Sequence, residues 1–254
     1  MYKQLYEPLP NIPLYLRHIG IENQVPVTVD GLNALITAHI LKVPFEALDA
    51  FPGNSVPPLG ITVNYTRVVN GFRGGYCFQL NGLFCSLLNG LGFDAYSVTM
   101  KVLIKDMNVP RLHRGTVAVI DGEKYYCDVG FGGPGPDFAL NIAPGTHCRG
   151  FHVEENNGEI IIWRDDNVTN PLFSFRDYAA TAEEFQPENF YCSKSPSSRF
   201  AQEIVVNQRT KTGHRSINGN LLRICEKGEM VERAFETHEL SAILWEYFHI
   251  RFNQ

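Results

Sequence analysis

The chain reads as an α+β protein laid out in three successive stretches: helical, then all-β, then a short mixed end. Three observations predict this. Apolar residues recur at helical spacing through the first ninety residues. After Gly92 the texture changes to runs rich in Val, Ile and Thr. Two of those runs flank Asp121-Gly122, a strong signal for a two-residue hairpin.

Taken in order, Thr28 or Asp30 can cap a helix whose stripe is Leu32, Leu35, Ile36, His39 and Ile40, with Pro44 at its exit. A Pro/Gly-rich loop spans 51–60. The helix after Cys77 carries Leu80, Leu83, Phe84, Leu87 and Leu88, and Asn89-Gly90 predicts its stop. Strands are expected over 96–104, 116–120 and 124–128. A second hairpin, 151–153 with 159–163, turns at Asn156-Asn157-Gly158. Further strands are expected over 203–210, 220–225 and 230–234. A closing helix starts near Thr237 and turns Leu240, Ile243, Leu244, Tyr247 and Phe248 inward.

Composition narrows the function. A hydrophobic share of 44% and a charged share of 19% suit an ordinary globular protein. A net charge of −5, with no long Lys/Arg run, argues against a nucleic-acid partner. The N-terminus lacks the apolar core of a signal peptide, and no stretch is long and apolar enough for a membrane span. A cytoplasmic location and no membrane partner are the expectation. There the six cysteines stay reduced. They include no C-x-x-C pair, so no metal is expected. The sequons Asn64-Tyr-Thr66 and Asn167-Val-Thr169 read as chance matches in such a setting.

The most informative stretch is Arg73-Gly-Gly-Tyr-Cys77-Phe-Gln79-Leu-Asn81. A cysteine between a Gly-Gly turn and a helix sits near unsatisfied N–H groups and the positive end of the helix dipole, which favours the thiolate. Free cysteines are more often inert core residues, and Cys85, Cys127, Cys148, Cys192 and Cys225 are read that way. His113 precedes one strand and Asp128 ends the next. A tight hairpin lays these strands side by side, so the two side chains can meet. Cys77, His113 and Asp128 then read as nucleophile, base and orienting carboxylate. Gly130-Phe-Gly132-Gly133-Pro-Gly135 fits G-x-G-x-x-G literally, but its prolines oppose the helix that a dinucleotide site needs. It reads as a loop that permits close backbone approach.

These residues, together with Tyr15-Leu-Arg-His-Ile-Gly20, Pro44-Phe45-Glu46-Ala47-Leu48, Phe185-x-x-x-Asn189-x-Tyr191 and Ser195-Pro-Ser-Ser-Arg199-Phe200, resemble the arylamine N-acetyltransferases. The chain departs from the family pattern at Ala47, where Asn is frequent, and at Gln79, where many bacterial members have Glu. The resemblance implies a helical domain over 1–92 carrying Cys77, a β-barrel over 93–200 carrying His113 and Asp128, and an α/β lid over 201–254. It implies a papain-like Cys-His-Asp arrangement. It implies acetyl-CoA as co-substrate with no metal and no bound prosthetic group, an arylamine or hydrazine acceptor, and a monomer or weak homo-oligomer. The backbone N–H of Cys77 is the expected oxyanion donor. Phe45 and Phe131 are the expected substrate-binding aromatics, with core packing the competing reading for Phe45. Gly130, Gly132 and Gly133 are expected beside the CoA, and Arg73 is expected to be structural. The alternatives left open are another acyl-CoA (malonyl or propionyl), biosynthetic amide formation, a protease- or transglutaminase-like enzyme, and a non-catalytic CoA-binding protein.

Overall fold

The computed structural model describes residues 2–166 and 169–252, so Asn167 and Val168 of the second sequon lie outside it. The helical stretch contains α1 (Ile12–His18), α2 (Val29–Lys42), α3 (Ile61–Val69) and α4 (Cys77–Leu91). Thr28 caps α2, its side chain accepting from the Gly31 N–H. The apolar stripe of α2 packs inward, with Leu32, Leu35 and Ile36 fully buried. α4 runs past the expected stop at Asn89-Gly90. The left-handed residue that its C-terminus needs is Gly92, at φ 99°. Asn89 instead turns its amide onto the carbonyls of Cys85 (3.0 Å) and Ala95 (2.8 Å), tying the helix end to the strand that follows.

The β stretch comprises β2 (Asp94–Val102), β3 (His113–Ile120), β4 (Glu123–Cys127), β5 (Leu140–Asn141), β6 (His147–Cys148), β7 (Phe151–Asn156), β8 (Glu159–Arg164) and β9 (Phe173–Phe175), while β1 lies earlier, at Phe45–Glu46. β2 to β9 form one eight-stranded sheet in the order β5-β4-β3-β2-β9-β8-β7-β6. Its two edge strands, β5 and β6, are consecutive in the chain, joined by residues 142–146. That short link draws the edges together and leaves a nearly closed barrel. The Asp121-Gly122 turn joins β3 to β4 with Ile120 opposite Glu123. Asn157-Gly158 joins β7 to β8. Both turns have positive φ at both central residues, as the twist of paired strands requires.

The final stretch holds α5 (Phe185–Lys194), β10 (Val205–Arg209), β11 (Gly213–Asn218), β12 (Leu221–Glu226), β13 (Glu229–Ala234) and α6 (Leu240–Phe248). β11 has no counterpart in the sequence reading. Ile217 is its only strongly apolar residue, so it carries too little hydrophobic signal. α6 lays Leu240, Ile243, Leu244 and Phe248 on this sheet against Val206, Ile217 and Leu222. The far edge of the same five-stranded sheet is β1, with Phe45 opposite Asn207 and Glu46 opposite Val206. A two-residue strand from the helical stretch is thus built into the C-terminal sheet. Among the described residues, no helix is long and apolar enough to cross a membrane.

The helical core hides a titratable group. His39 on α2 is fully buried, with its Nε2 2.8 Å from the Tyr15 hydroxyl. Burial pushes its pKa down to about 3. An unfolded chain binds this proton below about pH 6.5, whereas the folded one stays neutral. Between those values the unfolded state holds more protons, so folding stability falls as pH drops, by up to about 1.4 kcal/mol per pH unit from this residue. Urea melts at pH 7 and pH 5 should show a smaller acid-induced loss for His39→Leu than for the parent protein. Equal losses would show that His39 does not set the acid sensitivity.

Candidate active site

The loop that carries Cys77 is fixed from beneath. β1 runs along it: the Glu46 N–H donates to the Gly75 carbonyl at 2.9 Å, and Phe45 bridges Gly75. The approach is close enough that a Cβ on Gly74 would sit 1.9 Å from the Pro44 carbonyl oxygen. That accounts for the first glycine in sterics alone. Arg73 clamps the same junction, donating from Nε to Glu46 (2.9 Å) and from Nη2 to Asp49 (3.0 Å). Its role is structural, as expected. Tyr76 is the N-cap and Cys77 the first residue of α4, where backbone N–H groups lack intrahelical partners. Gln79 accepts from the Tyr76 N–H at 3.3 Å and donates to Asn64 at 2.9 Å, holding the first turn in place.

The β3–β4 ladder ends at Thr116 opposite Cys127, so Asp128 emerges one residue beyond the last pair. There its Oδ2 meets His113 Nε2 at 2.6 Å, both side chains being buried. With Nε2 engaged, the ring's other nitrogen is left for Cys77, whose thiol the imidazole pulls toward ionisation. Three more donors converge on Asp128. The Tyr126 hydroxyl donates to Oδ2 (2.6 Å), while the Asn81 amide (2.8 Å) and the Gly130 N–H (2.8 Å) donate to Oδ1. The His113 ring lies flat against Phe173, 5.5 Å between centroids, with Phe131 edge-on at the same distance.

The electrostatics follow from burial opposed by pairing. Burial alone would make Asp128 harder to ionise and His113 harder to protonate. The charge of each on the other, reinforced by hydrogen bonds, overcomes this. Asp128 is held below its ordinary value and His113 is pushed up to about 10. Cys77 differs from the sequence expectation. At 4% exposure, burial pushes its thiol up, and the pull of His113 offsets this only in part. The thiolate therefore depends on an imidazolium partner rather than on the helix terminus alone.

The remaining predicted residues lie around this centre. Gly130 is pressed on Cys77: a Cβ there would come 2.9 Å from the Cys77 Cα. Gly132 packs against the Phe45 ring and Gly133 against Phe131. Close approach is thus real, but the atoms that make it are the protein's own. Phe45 is 6% exposed, tilted against Phe200 at 5.9 Å, whereas Phe131 is half-buried. The same loop continues into a groove of about 420 Å³ lined by Pro134, Gly135, Arg149, Asp165 and Arg209.

Sequence reasoning assigned no role to Asn81, Tyr126, Phe173 or Arg114. Asn81 stands one helical turn after Cys77 and Tyr126 two residues before Asp128, so each shares a face with a predicted site residue. That spacing was the available signal. Arg114 is buried behind α4, donating to the Ser97 hydroxyl (2.9 and 3.0 Å) and the Phe78 carbonyl (3.2 Å), with its guanidinium over the Phe185 ring.

A family model described as N-acetyltransferase matches residues 28–254. The fold and this match together define an acyltransferase. The chain is 25% identical over 235 residues to the arylamine N-acetyltransferase of Mycolicibacterium smegmatis, covering 88% of this chain and 85% of that one. Its structure is similar to the arylamine N-acetyltransferase from Salmonella typhimurium, with a TM-score of 0.88 over 98% of this chain and 94% of that one at 22% identity. It is also similar to that of Mycobacterium marinum in complex with CoA, with a TM-score of 0.84 over 94% and 93% of the two chains at 23% identity. The chain belongs to the arylamine N-acetyltransferase family.

The four-donor cradle gives a measurable expectation. A hydrogen bond to a buried charge contributes about 1.5–3 kcal/mol, equivalent to roughly one to two pH units. Tyr126→Phe removes one donor from Asp128, so the carboxylate should protonate at higher pH. The acid limb of Cys77 alkylation by iodoacetamide should shift upward by about that amount. An unshifted profile in the folded variant would show that Tyr126 does not tune the site.

Proposed function

We propose that this enzyme transfers an acetyl group from acetyl-CoA to an arylamine or hydrazine by a two-step exchange through acetyl-Cys77. The observation that carries the reading is the buried 2.6 Å His113–Asp128 contact, with Cys77 at the start of α4 and electrostatically coupled to the same imidazole. In the first step Cys77 yields its proton to His113 and its sulfur attacks the thioester carbonyl. The oxyanion lies at the N-terminus of α4, within reach of the Cys77 N–H. The carbon–sulfur bond to CoA breaks, and the departing thiolate takes the proton back from His113. In the second step the amine nitrogen attacks acetyl-Cys77, His113 accepts the amine proton, and the thiol is regenerated. Asp128 holds the ring orientation and stabilises the imidazolium in both steps. Thioester-to-thioester exchange is nearly isoenergetic, so the stored acyl group is not trapped.

The half-buried Phe131, edge-on to His113, supports an aryl-binding wall at the reacting atoms, with Phe45 behind it. The loop of Gly130, Gly132 and Gly133 lies beside Cys77 and leads into the groove, a path that suits an acyl-CoA. A relative described as bound to CoA supports that ligand. All six cysteines are free, which fits a reducing, cytoplasmic setting.

Brief exposure to acetyl-CoA without acceptor should add one acetyl group to the intact protein by mass. Cys77→Ala should abolish the adduct, while Cys85→Ala, buried on the same helix, should keep it and lose stability. An acetyl adduct that persists in Cys77→Ala would remove the proposed nucleophile. Running the same assay with propionyl- and malonyl-CoA reports the acyl preference. Because one thiol and one imidazole serve both half-reactions, double-reciprocal plots against arylamine at several acetyl-CoA concentrations should be parallel. Intersecting lines, with no adduct in the absence of amine, would indicate direct transfer in a ternary complex.

A further inference from the structure

We propose that the barrel edge formed by β6, β7 and the end of β8 carries a binding site for a divalent transition-metal ion, held by His147, His152 and Asp165. The ligand atoms of these three side chains lie within 4.8 Å of one another. Two ligands on a tetrahedral ion with bonds of about 2.0–2.1 Å stand roughly 3.4 Å apart. Small side-chain rotations at half-buried and exposed positions close the difference.

The backbone builds this arrangement. His147 on β6 and His152 on β7 are directly opposed in the antiparallel ladder, and His152 opposes Trp163 on β8. All three rings therefore project from one face of the sheet. The His152 imidazole is stacked between its neighbours, 5.1 Å and 16° from the His147 ring and 5.9 Å and 4° from the Trp163 ring. Trp163 is itself anchored by a 2.9 Å bond from its indole N–H to Glu154. Asp165 is fixed by its own N–H on the Gly150 carbonyl at 2.9 Å, and its carboxylate reaches His152 Nδ1 at 2.7 Å. An entering ion widens this last contact and replaces the hydrogen bond with two coordinate bonds.

The donor set decides the class of ion. Two imidazole nitrogens and one carboxylate oxygen suit Zn²⁺, Co²⁺, Ni²⁺ or Cu²⁺ and not the all-oxygen preference of Mg²⁺ or Ca²⁺. Cys148 follows His147 but points to the opposite face by strand alternation, so no thiolate joins the set. Three protein ligands leave positions open for water. None of the three residues belongs to the active site, and no metal was expected from the sequence, because the ligands are joined by strand register and not by a spaced motif. The ion clips the two-residue edge strand β6 to β7 and β8. It also neutralises Asp165 at the wall of the groove that the Gly130–Gly135 loop enters.

The test uses full-length, tag-free protein carrying Cys77→Ser, so that the active-site thiol cannot compete for metal. Calorimetric titration with Zn²⁺ should give one equivalent bound with micromolar affinity. Cu²⁺ electron paramagnetic resonance should show coupling to two imidazole nitrogens. His147→Ala should leave one coupled nitrogen. Asp165→Asn should weaken binding by at least about 10-fold, because a neutral amide oxygen replaces a charged carboxylate ligand. Metal-free melting temperatures of the variants show whether they remain folded. Binding unchanged by His147→Ala and Asp165→Asn, two nitrogens persisting in His147→Ala, or no binding below millimolar Zn²⁺ would each overturn the assignment.

Discussion

An ionised carboxylate buried away from water is tolerable only when its oxygens are fully engaged, and Asp128 imposes that demand on everything around it. Its four partners come from different parts of the chain. His113 begins β3, Tyr126 belongs to β4, Asn81 to α4, and the Gly130 N–H to the loop beyond. Meeting the demand therefore welds the helix that bears Cys77 to the barrel that bears His113. Asn81 extends the weld, since its amide also donates to the Arg114 carbonyl and its oxygen accepts from the Val129 N–H. The charge that polarises His113 and the hydrogen bonds that hold helix and barrel in register are the same set of contacts.

The Cys77 loop answers to a second constraint, steric rather than electrostatic. β1 lies so near Gly74 that no side chain fits between them, and Arg73 locks the contact through Glu46 and Asp49. Phe45, Tyr76, Phe78, Phe185, Cys192 and Val205 then fill the junction between helical stretch, α5 and C-terminal sheet. Cys77 sits where the electrostatic and steric constraints intersect, which leaves its sulfur little freedom to wander from His113.

Much of this was legible in the sequence where the governing physics is local. Thr28 as a cap, Asp121-Gly122 as a turn and Cys77 at a helix start depend on neighbours a few residues away, and the structure places them as read. The meeting of His113 and Asp128 followed from one tight hairpin. What escaped depends on distant partners. β1 is two residues long and acquires its identity only by pairing with β10, and β11 is a strand because its neighbours make it one. Asn81 and Tyr126 are ordinary residues on a helix and a strand until a carboxylate needs them. The glycine loop was readable as a place of close approach, yet its neighbours could come only from the fold: Cys77, Phe45 and Phe131. The helix stop moved from Gly90 to Gly92 because the cap needs a left-handed backbone, which composition alone does not locate.

The splice of β1 into the C-terminal sheet has a consequence for biosynthesis. The strand that braces the thiol is Phe45–Glu46, but its partner, with Phe45 opposite Asn207, leaves the ribosome only after the barrel has been made. Until then the segment under Gly74 and Gly75 lacks the sheet that aligns it, and the cysteine cannot be held in its finished setting. A nascent or truncated chain thus carries an unassembled thiol, and competence arrives as one of the last events of synthesis. The order of translation itself keeps a group-transferring centre silent until the molecule around it is nearly whole.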